Sequence, residues 1–198
     1  MTLKTYLPVL FVVMFLLGLH NAQAQYKYER EYRIKKSEFP NNALELISDK
    51  ITDAKRIKFY KETDSTKISY EAKLKKDKLW YSIEFSQEGM LEDIEILIDA
   101  VDIPNDTYHN IEKYLEANYS KFKIKRLQQQ YPTSPGADAE TTLKNAFQNL
   151  MLPSTNYELV IAGKKDRKYL DYEILFDSEG NFISKRTSLP PNYDHVLY

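Results

Sequence analysis

The sequence predicts an α+β fold built from two tandem repeats, each an antiparallel sheet with one or more helices packed on one face. Three observations in the chain of 198 residues predict it: an internal repeat, apolar residues at three- and four-residue spacing, and segments in which apolar and polar residues alternate. The content of 42% hydrophobic and 29% charged residues is typical of a globular chain long enough to bury a core.

The chain begins with the pattern of a secretory signal peptide. Lys4 precedes an apolar run at residues 7–19, and Ala22 and Ala24 supply the small residues of a cleavage site. The run is too short to span a membrane, for which roughly 20 apolar residues are needed. We therefore predict a signal peptide at residues 1–24 that is cleaved after Ala24, no membrane span in the mature chain, and a periplasmic or secreted bacterial product.

Two pairs of similar segments reveal the internal repeat. Residues 32–41 align with residues 96–105 at a shift of 64, and residues 79–89 align with residues 170–180 at a shift of 91. The second repeat therefore contains 91 − 64 = 27 extra residues. The predicted organisation is repeat 1 at residues 25–98, repeat 2 at residues 99–188 with an inserted loop and helix at about residues 127–154, and an extended C-terminal tail at residues 189–198.

Each repeat has one predicted helix that begins near a proline. Pro40 and Pro104 suit the first turn, because a helix leaves its first N–H groups without an internal partner. Apolar residues follow at helical spacing: Ala43, Leu44, Ile47 and Ile51 in one repeat, and Tyr108, Ile111, Tyr114 and Leu115 in the other. Within the insert we predict a loop at residues 128–136 and a helix at residues 138–150.

Alternation predicts the strands that follow each helix. Apolar residues occupy every second position in residues 68–74, 79–85 and 170–176. Gly89 and Gly180 follow two of these strands, and glycine accepts the positive φ that a tight turn requires.

Several short segments resemble the PepSY-like modules of secreted bacterial proteins. They are Ile103-Pro104 with residues 111–115, then residues 121–125, 157–161 and 172–181, and more faintly Phe39-Pro40, Tyr70-Glu71 and residues 83–89. Tandem modules of this kind are similar to the β-lactamase-inhibitor protein fold, in which a concave sheet grips a partner protein. The resemblance covers residues 28–189 and implies a secreted, non-enzymatic binding module, without implying that β-lactamase is the target. This chain has no cysteine, so it cannot form the inhibitor's disulfides.

The sequence contains no recognisable catalytic or cofactor-binding motif. Without cysteine, thiol nucleophiles and cysteine-based metal sites are impossible, and a net charge of -1 disfavours nucleic-acid binding. No serine or aspartate motif frames His109 or His195, the histidines left after signal removal, and we expect each of them to face solvent or to cap a helix. The acidic run at residues 177–181 is typical of a turn rather than a calcium loop. We predict no enzyme activity, no cofactor and no metal site.

The candidate partner-binding surface is the helix-free face of the sheets. If Leu79 and Tyr81 face the helix, Trp80 between them points to the opposite side. An outward Trp among charged residues is typical of an interface anchor, although packing under the tail, an adjacent strand or the second repeat remains an equal alternative. The candidate partner-binding residues are Trp80, Ser82, Glu84, Glu71, Lys73, Lys75, Asp171 and Glu173.

Three functions remain open at this point. The preferred one is a non-enzymatic module, with inhibition as one outcome, that recognises a protein or peptide through this face. The second is a carrier of a small molecule or envelope polymer, with a pocket between sheet and helices near Phe147 and Leu150. The third is a hydrolase with paired carboxylates, and its candidate pairs are Glu84 with Glu71 or Asp93, and Asp171 with Glu173.

Overall fold

The computed structural model describes residues 26–27, 29–64, 67–133, 138–165 and 168–188. The predicted signal peptide with its cleavage site and the predicted C-terminal tail with His195 lie outside these residues. The described part has an α+β fold, in which a single antiparallel sheet packs against helices through one continuous hydrophobic core. The predicted α+β class is confirmed, whereas the strands form one sheet rather than a separate sheet in each repeat.

All the strands of the described residues belong to one sheet. Its strands are β1 (Tyr26–Lys27), β2 (Glu29–Ile34), β3 (Lys55–Asp64), β4 (Lys67–Lys76), β5 (Leu79–Ser86), β6 (Leu91–Leu97), β7 (Lys121–Pro132), β8 (Asn156–Lys165), β9 (Lys168–Phe176) and β10 (Phe182–Ser188). Their order in the sheet is β1-β10-β9-β8-β7-β6-β5-β4-β3-β2. Every neighbouring pair is antiparallel except β1 and β10, which run parallel.

Strand β7 corrects one prediction made from the sequence. A loop was predicted from residue 128 because Gln and Pro cluster there, yet β7 continues to Pro132. Its residues 128–130 pair with β6 on one side and with β8 on the other, so their backbone N–H and C=O groups have partners in the sheet. This pairing outweighs the low strand preference of three consecutive Gln residues, since strand propensity depends strongly on context. It also joins the two halves of the chain into one sheet.

Four α-helices and two short 3-10 helices complete the described fold. They are the 3-10 helices Lys36–Glu38 and Ala100–Asp102, and the helices α1 (Asn41–Leu46), α2 (Ser48–Ile51), α3 (Asn105–Asn118) and α4 (Ala139–Phe147). Pro40 and Pro104 immediately precede α1 and α3, and Asp138 caps α4 by accepting a hydrogen bond from the backbone N–H of Thr141. The predicted helix in the insert is therefore present. Among the residues described, no helix combines the length and the apolar character needed to cross a membrane.

The core lies between the helices and one side of the sheet. Tyr81, Ile83 and Phe85 of β5 are buried on this side, as the alternation predicts. The helices contribute the predicted apolar stripes, with Ile47 of the first half and Ile111 of the second fully buried. Burial of these alternating side chains fixes which side of every strand faces the helices.

A short chain connection between β1 and β2, the two outermost strands, brings the ends of the sheet together. Lys27 of β1 pairs with Ser188 of β10, whereas Glu29 of β2 pairs with Asp64 of β3 at the opposite end. Two residues of chain span at most about 7 Å, so the last strand of the sheet reaches its first. The sheet therefore curls until its two ends nearly meet.

Candidate functional site

The eight candidate residues all lie on the helix-free side of the sheet, which we call the inner face. Six of them form direct cross-strand pairs between β4 and β5: Glu71 with Glu84, Lys73 with Ser82, and Lys75 with Trp80. The cross-strand pairs of β6, β7 and β8 show that Asp171 and Glu173 of β9 lie on this same side of the sheet. The structure thus brings six of the predicted residues together and places the other two several strands away on the same face.

Trp80 lies on the inner face between two cationic side chains. Its indole ring is partly exposed, with the guanidinium of Arg56 at 5.5 Å and the ammonium of Lys75 at 5.3 Å from the ring centroid. Arg56 has φ 56° beside a bulge in β3, a backbone conformation uncommon for a residue with a side chain. Both cations lie within the range of cation–π attraction, so they hold the indole in place.

Lys73 neutralises a cluster of carboxylates near the edge of the inner face. Its ammonium lies 2.9 Å from Glu31 Oε1 and 2.8 Å from Glu71 Oε2, and 4.7 Å from the centroid of the Tyr60 ring. Burial alone would lower the pKa of Lys73, but the carboxylates of Glu71 and Glu31 outweigh it and raise that pKa. Lys73 is therefore held in its charged form.

The same cluster has the geometry of a small cation site. Carboxylate oxygens of Glu31, Glu62 and Glu71 all lie within 4.8 Å of one another, a spacing that could hold a divalent ion. The ammonium of Lys73 already bridges two of these three carboxylates. A positive charge is therefore present in the cluster without a metal.

Three further carboxyl groups form a row across the middle of the inner face. Glu71 lies directly opposite Glu84, and Glu84 lies directly opposite Asp93, on the adjacent strands β4, β5 and β6. These are the cross-strand pairs that the alternation predicts for Glu84. Direct cross-strand neighbours have Cβ atoms about 5 Å apart, so like charges at these positions repel each other. We call Glu71, Glu84 and Asp93 the acidic row.

A serine links two members of the acidic row. The Ser82 hydroxyl donates a short hydrogen bond to Glu71 Oε1, and its oxygen lies 3.2 Å from Glu84 Oε1. A hydroxyl group has one proton, so it cannot donate to two ionised carboxylates at once. Protonated Glu84 resolves the conflict, because it can donate to Ser82 while Ser82 donates to Glu71.

The environment of Glu84 and Asp93 favours the protonated form of both carboxyl groups. Burial, followed by the negative charges of Glu71 and Glu62, raises the pKa of Glu84 well above its ordinary value. Burial and the negative charge of Glu158 raise the pKa of Asp93 to about 7. Near neutral pH the row therefore carries less charge than its three carboxyl groups suggest.

The carboxylates on the far side of the inner face are neutralised by nearby cations. Lys125 Nζ lies 2.6 Å from Asp171 Oδ2, and Arg186 forms a short ion pair with Glu173. Arg126 lies 4.0 Å from Glu158, and its side chain is 46% exposed. The predicted candidates Asp171 and Glu173 are therefore members of ion pairs rather than of a carboxylate pair.

Several inner-face residues were not singled out as binding candidates. Asp93 and Glu95 of β6 alternate with the buried Ile94 and Ile96, so period-two spacing could have found them. Glu158 offered a weaker signal, because the residues on both sides of it, Tyr157 and Leu159, are also buried. The further inner-face residues of this kind are Glu31, Glu62, Arg126, Gln128, Gln130 and Arg186.

The other predicted sites are placed as follows. His109 is exposed on α3, as expected. Phe147 of α4 stacks on Tyr81 with ring centroids 4.5 Å apart, so these two rings fill the region proposed for a carrier pocket. Asp177 accepts hydrogen bonds from the backbone N–H groups of Glu179 and Asn181, which makes the acidic run a capped turn.

Three solved structures resemble this chain at low sequence identity. A DUF2874 family protein from Bacteroides ovatus has a TM-score of 0.50 and 11% identity, covering 75% of this chain and 87% of that one. A protein from Bacteroides eggerthii, proposed to be periplasmic, has a TM-score of 0.50 and 11% identity, covering 75% and 88%. A BLIP-like protein from Bacteroides fragilis has a TM-score of 0.48 and 12% identity, covering 80% and 92%. No protein-family model and no curated protein matches the sequence.

The first two likenesses show that the chain shares its fold with the Bacteroides ovatus and Bacteroides eggerthii proteins. At this level of identity a shared fold does not carry a shared activity. The expected relationship to PepSY-like modules and the boundaries of the two repeats stay predictions.

Proposed function

We propose that this protein is a periplasmic or secreted, non-catalytic module that binds a protein or peptide through its inner face. The observation that carries the proposal is the inner face itself, a polar side of the sheet that the helices leave uncovered; Glu71, Ser82 and Glu173 on it are buried, and Trp80, Lys73 and Lys75 are partly exposed. Cationic side chains on it remain reachable from solvent, with Lys73 36% and Arg186 41% exposed. Trp80 adds a large side chain of the type that anchors interfaces.

The location outside the cytoplasm is part of this proposal. It is supported by the signal-peptide pattern at residues 1–24 and by the Bacteroides eggerthii protein of the same fold.

We also propose that the two halves are repeats of one unit. The supporting observation is a contact that occurs in both. Asn42 of α1 donates from its side chain to the carbonyl of Gly89 in the turn after β5, at 3.0 Å. Asn110 of α3 donates to the carbonyl of Glu179 in the turn after β9, at 2.9 Å. Each half therefore docks its glycine turn on its own helix.

Capture of a partner from an envelope extract tests the proposed function. The secreted chain would be immobilised as wild type, as Trp80→Ala and as Tyr32→Ala. Tyr32 is a matched control, since it is 40% exposed but lies on the other side of the sheet from the inner-face residue Glu31. We expect Trp80→Ala to lose a partner that Tyr32→Ala retains, and titration of the purified partner should give the same order. Equal binding by all three chains would remove the inner face as the binding surface.

A second candidate function is favoured by the geometry of Glu71 and Glu84. Ser82 connects the two groups, of which Glu71 is ion-paired with Lys73 and Glu84 has a raised pKa. A carboxylate beside a carboxylic acid is the arrangement that general acid–base hydrolysis uses.

Hydrolysis assays distinguish this candidate from binding. Peptidoglycan and chromogenic glycosides would be incubated with wild type, Glu71→Gln and Glu84→Gln. Turnover by wild type that both variants lose would support a hydrolase, whereas equal signals from all three proteins would dismiss it.

A further inference from the structure

Cationic side chains surround Trp80 at one end of the inner face. Lys75 of β4 lies directly opposite Trp80, and Lys55 of β3 lies directly opposite Lys75. Arg56 follows Lys55 and places its guanidinium 5.5 Å from the centroid of the indole ring. We call Lys55, Arg56, Lys75 and Trp80 the cationic end of the inner face.

The three cations of this end are not neutralised by neighbouring acids. Within the ranges that the structure describes, no carboxylate lies within 4.0 Å of any of their charged groups. Asp53 before β3 and Asp77 in the β4–β5 turn are exposed acids at the same end, yet neither forms an ion pair with them. Lys73, further along β4, differs because it is paired with two carboxylates. The cationic end therefore carries an excess of positive charge.

Solubility alone does not explain this arrangement. Lys75 lies on a strand that is paired on both sides, so it does not protect a free edge of the sheet. Like charges on directly opposite residues are destabilising, and Lys55 lies opposite Lys75 in this way. The positive φ of Arg56 beside the bulge is a second unfavourable feature, and such conformations cluster at binding sites. Both features lower the stability of the fold, which indicates a role outside folding.

An apolar surface adjoins these cations. Tyr81 pairs with Ile96, so the next position along the two strands brings Leu97 of β6 beside Trp80. Leu97 is 44% exposed, and Trp80 is partly exposed. Because cations on the indole ring already restrict its motion, a partner that contacts Trp80 orders few additional side-chain rotamers.

A partner that fits this end must supply negative charge and an apolar group together. A guanidinium group binds a carboxylate through two parallel hydrogen bonds, and an ammonium group binds it as a point charge. A free phosphate or a sulfated sugar supplies the charge without the apolar group. The exposed Leu97 therefore favours a segment of protein that has acidic residues near an apolar one.

Building on the proposed function, we propose that the cationic end, together with Leu97, binds an acidic segment of the partner protein. Arg56 and Lys75 would pair with carboxylates of that segment. Trp80 and Leu97 would contact the apolar side chain that lies between those carboxylates.

Fluorescence quenching tests the charge of this end. Trp80 is the only tryptophan of the chain, so its emission reports on this site alone. Relative to free N-acetyltryptophanamide, we expect iodide to quench wild type about twofold more strongly than caesium, because the cations attract anions. Arg56→Gln and Lys75→Gln should each lower the ratio of iodide to acrylamide quenching. Lys113→Gln, which removes an exposed lysine of α3, is the control and should leave that ratio unchanged.

Peptide titration tests the chemistry of the partner. Three capped pentapeptides would have leucine at the centre and Glu, Gln or Lys two positions away on each side, so that these side chains share one side of an extended chain. We expect the Glu peptide alone to change the emission of Trp80 and to shift the amide signals of residues 55–56, 75 and 97.

The same variants show whether the cations carry the binding. Arg56→Gln and Lys75→Gln should each weaken the Glu peptide about fivefold, which corresponds to about 1 kcal/mol for a partly exposed ion pair. Lys113→Gln should bind it as wild type does. Chemical-shift spectra of each variant without peptide would show that it is folded.

Three results would overturn this proposal. They are equal binding of the Gln peptide, unchanged affinity for the Glu peptide in both Arg56→Gln and Lys75→Gln, and no binding of the Glu peptide here, whether or not inorganic phosphate or phosphatidylglycerol vesicles bind. The proposed function fails separately. A captured partner that depends on Trp80 but binds both variants as it binds wild type would leave the binding module standing and remove only the acidic segment.

Discussion

Glu84 and Asp93 lie directly opposite each other on β5 and β6, and neither carboxyl group has a described cation within 4.0 Å. Such a pair is tolerated because protonation removes the repulsion, in agreement with the raised pKa of both groups. Keeping these two acids next to each other therefore lowers the stability of the folded chain, as is common at functional sites.

The first prediction concerns the pH dependence of stability. A carboxyl group whose pKa is higher in the folded chain favours folding most when it is protonated in both states. Its contribution is complete below the unfolded value, 3.8 for Asp93, and is lost as pH rises through the folded value of about 7. We expect the free energy of unfolding, measured with urea, to fall between pH 5 and pH 8.

The variant Asp93→Asn separates this effect from the other acids of the chain. It cannot ionise, so its stability should change less over the same range, and at pH 8 it should exceed wild type by roughly 1 kcal/mol. Asp106→Asn, an exposed acid on α3, serves as the control and should follow wild type. A wild-type stability that rises from pH 5 to pH 8 would contradict the assignment.

The second prediction concerns Lys73. Replacing it with Met removes the cation from Glu31 and Glu71, and we expect a loss of roughly 2 kcal/mol at pH 7, less than for a fully buried pair because Lys73 is 36% exposed. Lys67→Met is the matched control, since Lys67 pairs with Glu92 at 3.0 Å but is 62% exposed. It should cost less than about 1 kcal/mol. Equal losses in urea unfolding would show that the Lys73 pairs act as surface ion pairs.

Alternation was enough to predict the core side of β5, where Tyr81, Ile83 and Phe85 are buried. Alternation did not identify residues 128–132 as part of β7, because the buried position there is a polar residue. Gln129 is 1% exposed among core residues and its side-chain amide donates a hydrogen bond to the Tyr131 hydroxyl. A buried amide that finds a partner gives no apolar signal in the sequence. The curl of the sheet was equally hidden, since it depends on Lys27 pairing with Ser188 at the other end of the chain.

The candidate site was predictable where it depends on a hairpin. Glu71 and Glu84 flank the β4–β5 turn, so their pairing follows from its position. The ion pair of Lys73 with Glu31 could not be predicted, because β2 and β4 are separated in the sheet by β3 and their residues meet only in three dimensions.

The third prediction concerns the turn glycine of the second half. Gly180 has φ 83°, and a Cβ atom added there would lie 2.4 Å from the carbonyl oxygen of Thr107 in α3. Helix backbone cannot move aside easily, so Gly180→Ala should destabilise the fold by roughly 2 kcal/mol or more. Thermal unfolding followed by circular dichroism measures the loss.

An asparagine variant identifies the cause of that loss. Asn accepts positive φ better than Ala but also has a Cβ atom. If the contact with Thr107 dominates, Gly180→Asn should be as unstable as Gly180→Ala. If Gly180→Asn behaves like wild type, backbone conformation alone explains the glycine, and the turn is not closely docked on α3.

The last prediction concerns Phe147 and the carrier hypothesis. The ring of Phe147 stacks on Tyr81 at an interplanar angle of 5°, with the ammonium of Lys50 5.7 Å from its centroid. Phe147→Ala should cost roughly 2 kcal/mol, because it removes the stacking and leaves a gap between α4 and the sheet. Phe147→Leu should cost less, since it refills much of the volume.

The hydrophobic dye 1-anilinonaphthalene-8-sulfonate then tests for a pocket: we expect it to bind Phe147→Ala and not wild type. Equal dye binding by wild type would mean that an apolar pocket exists here already, and the carrier function would then replace the binding module as the better account of this side of the sheet.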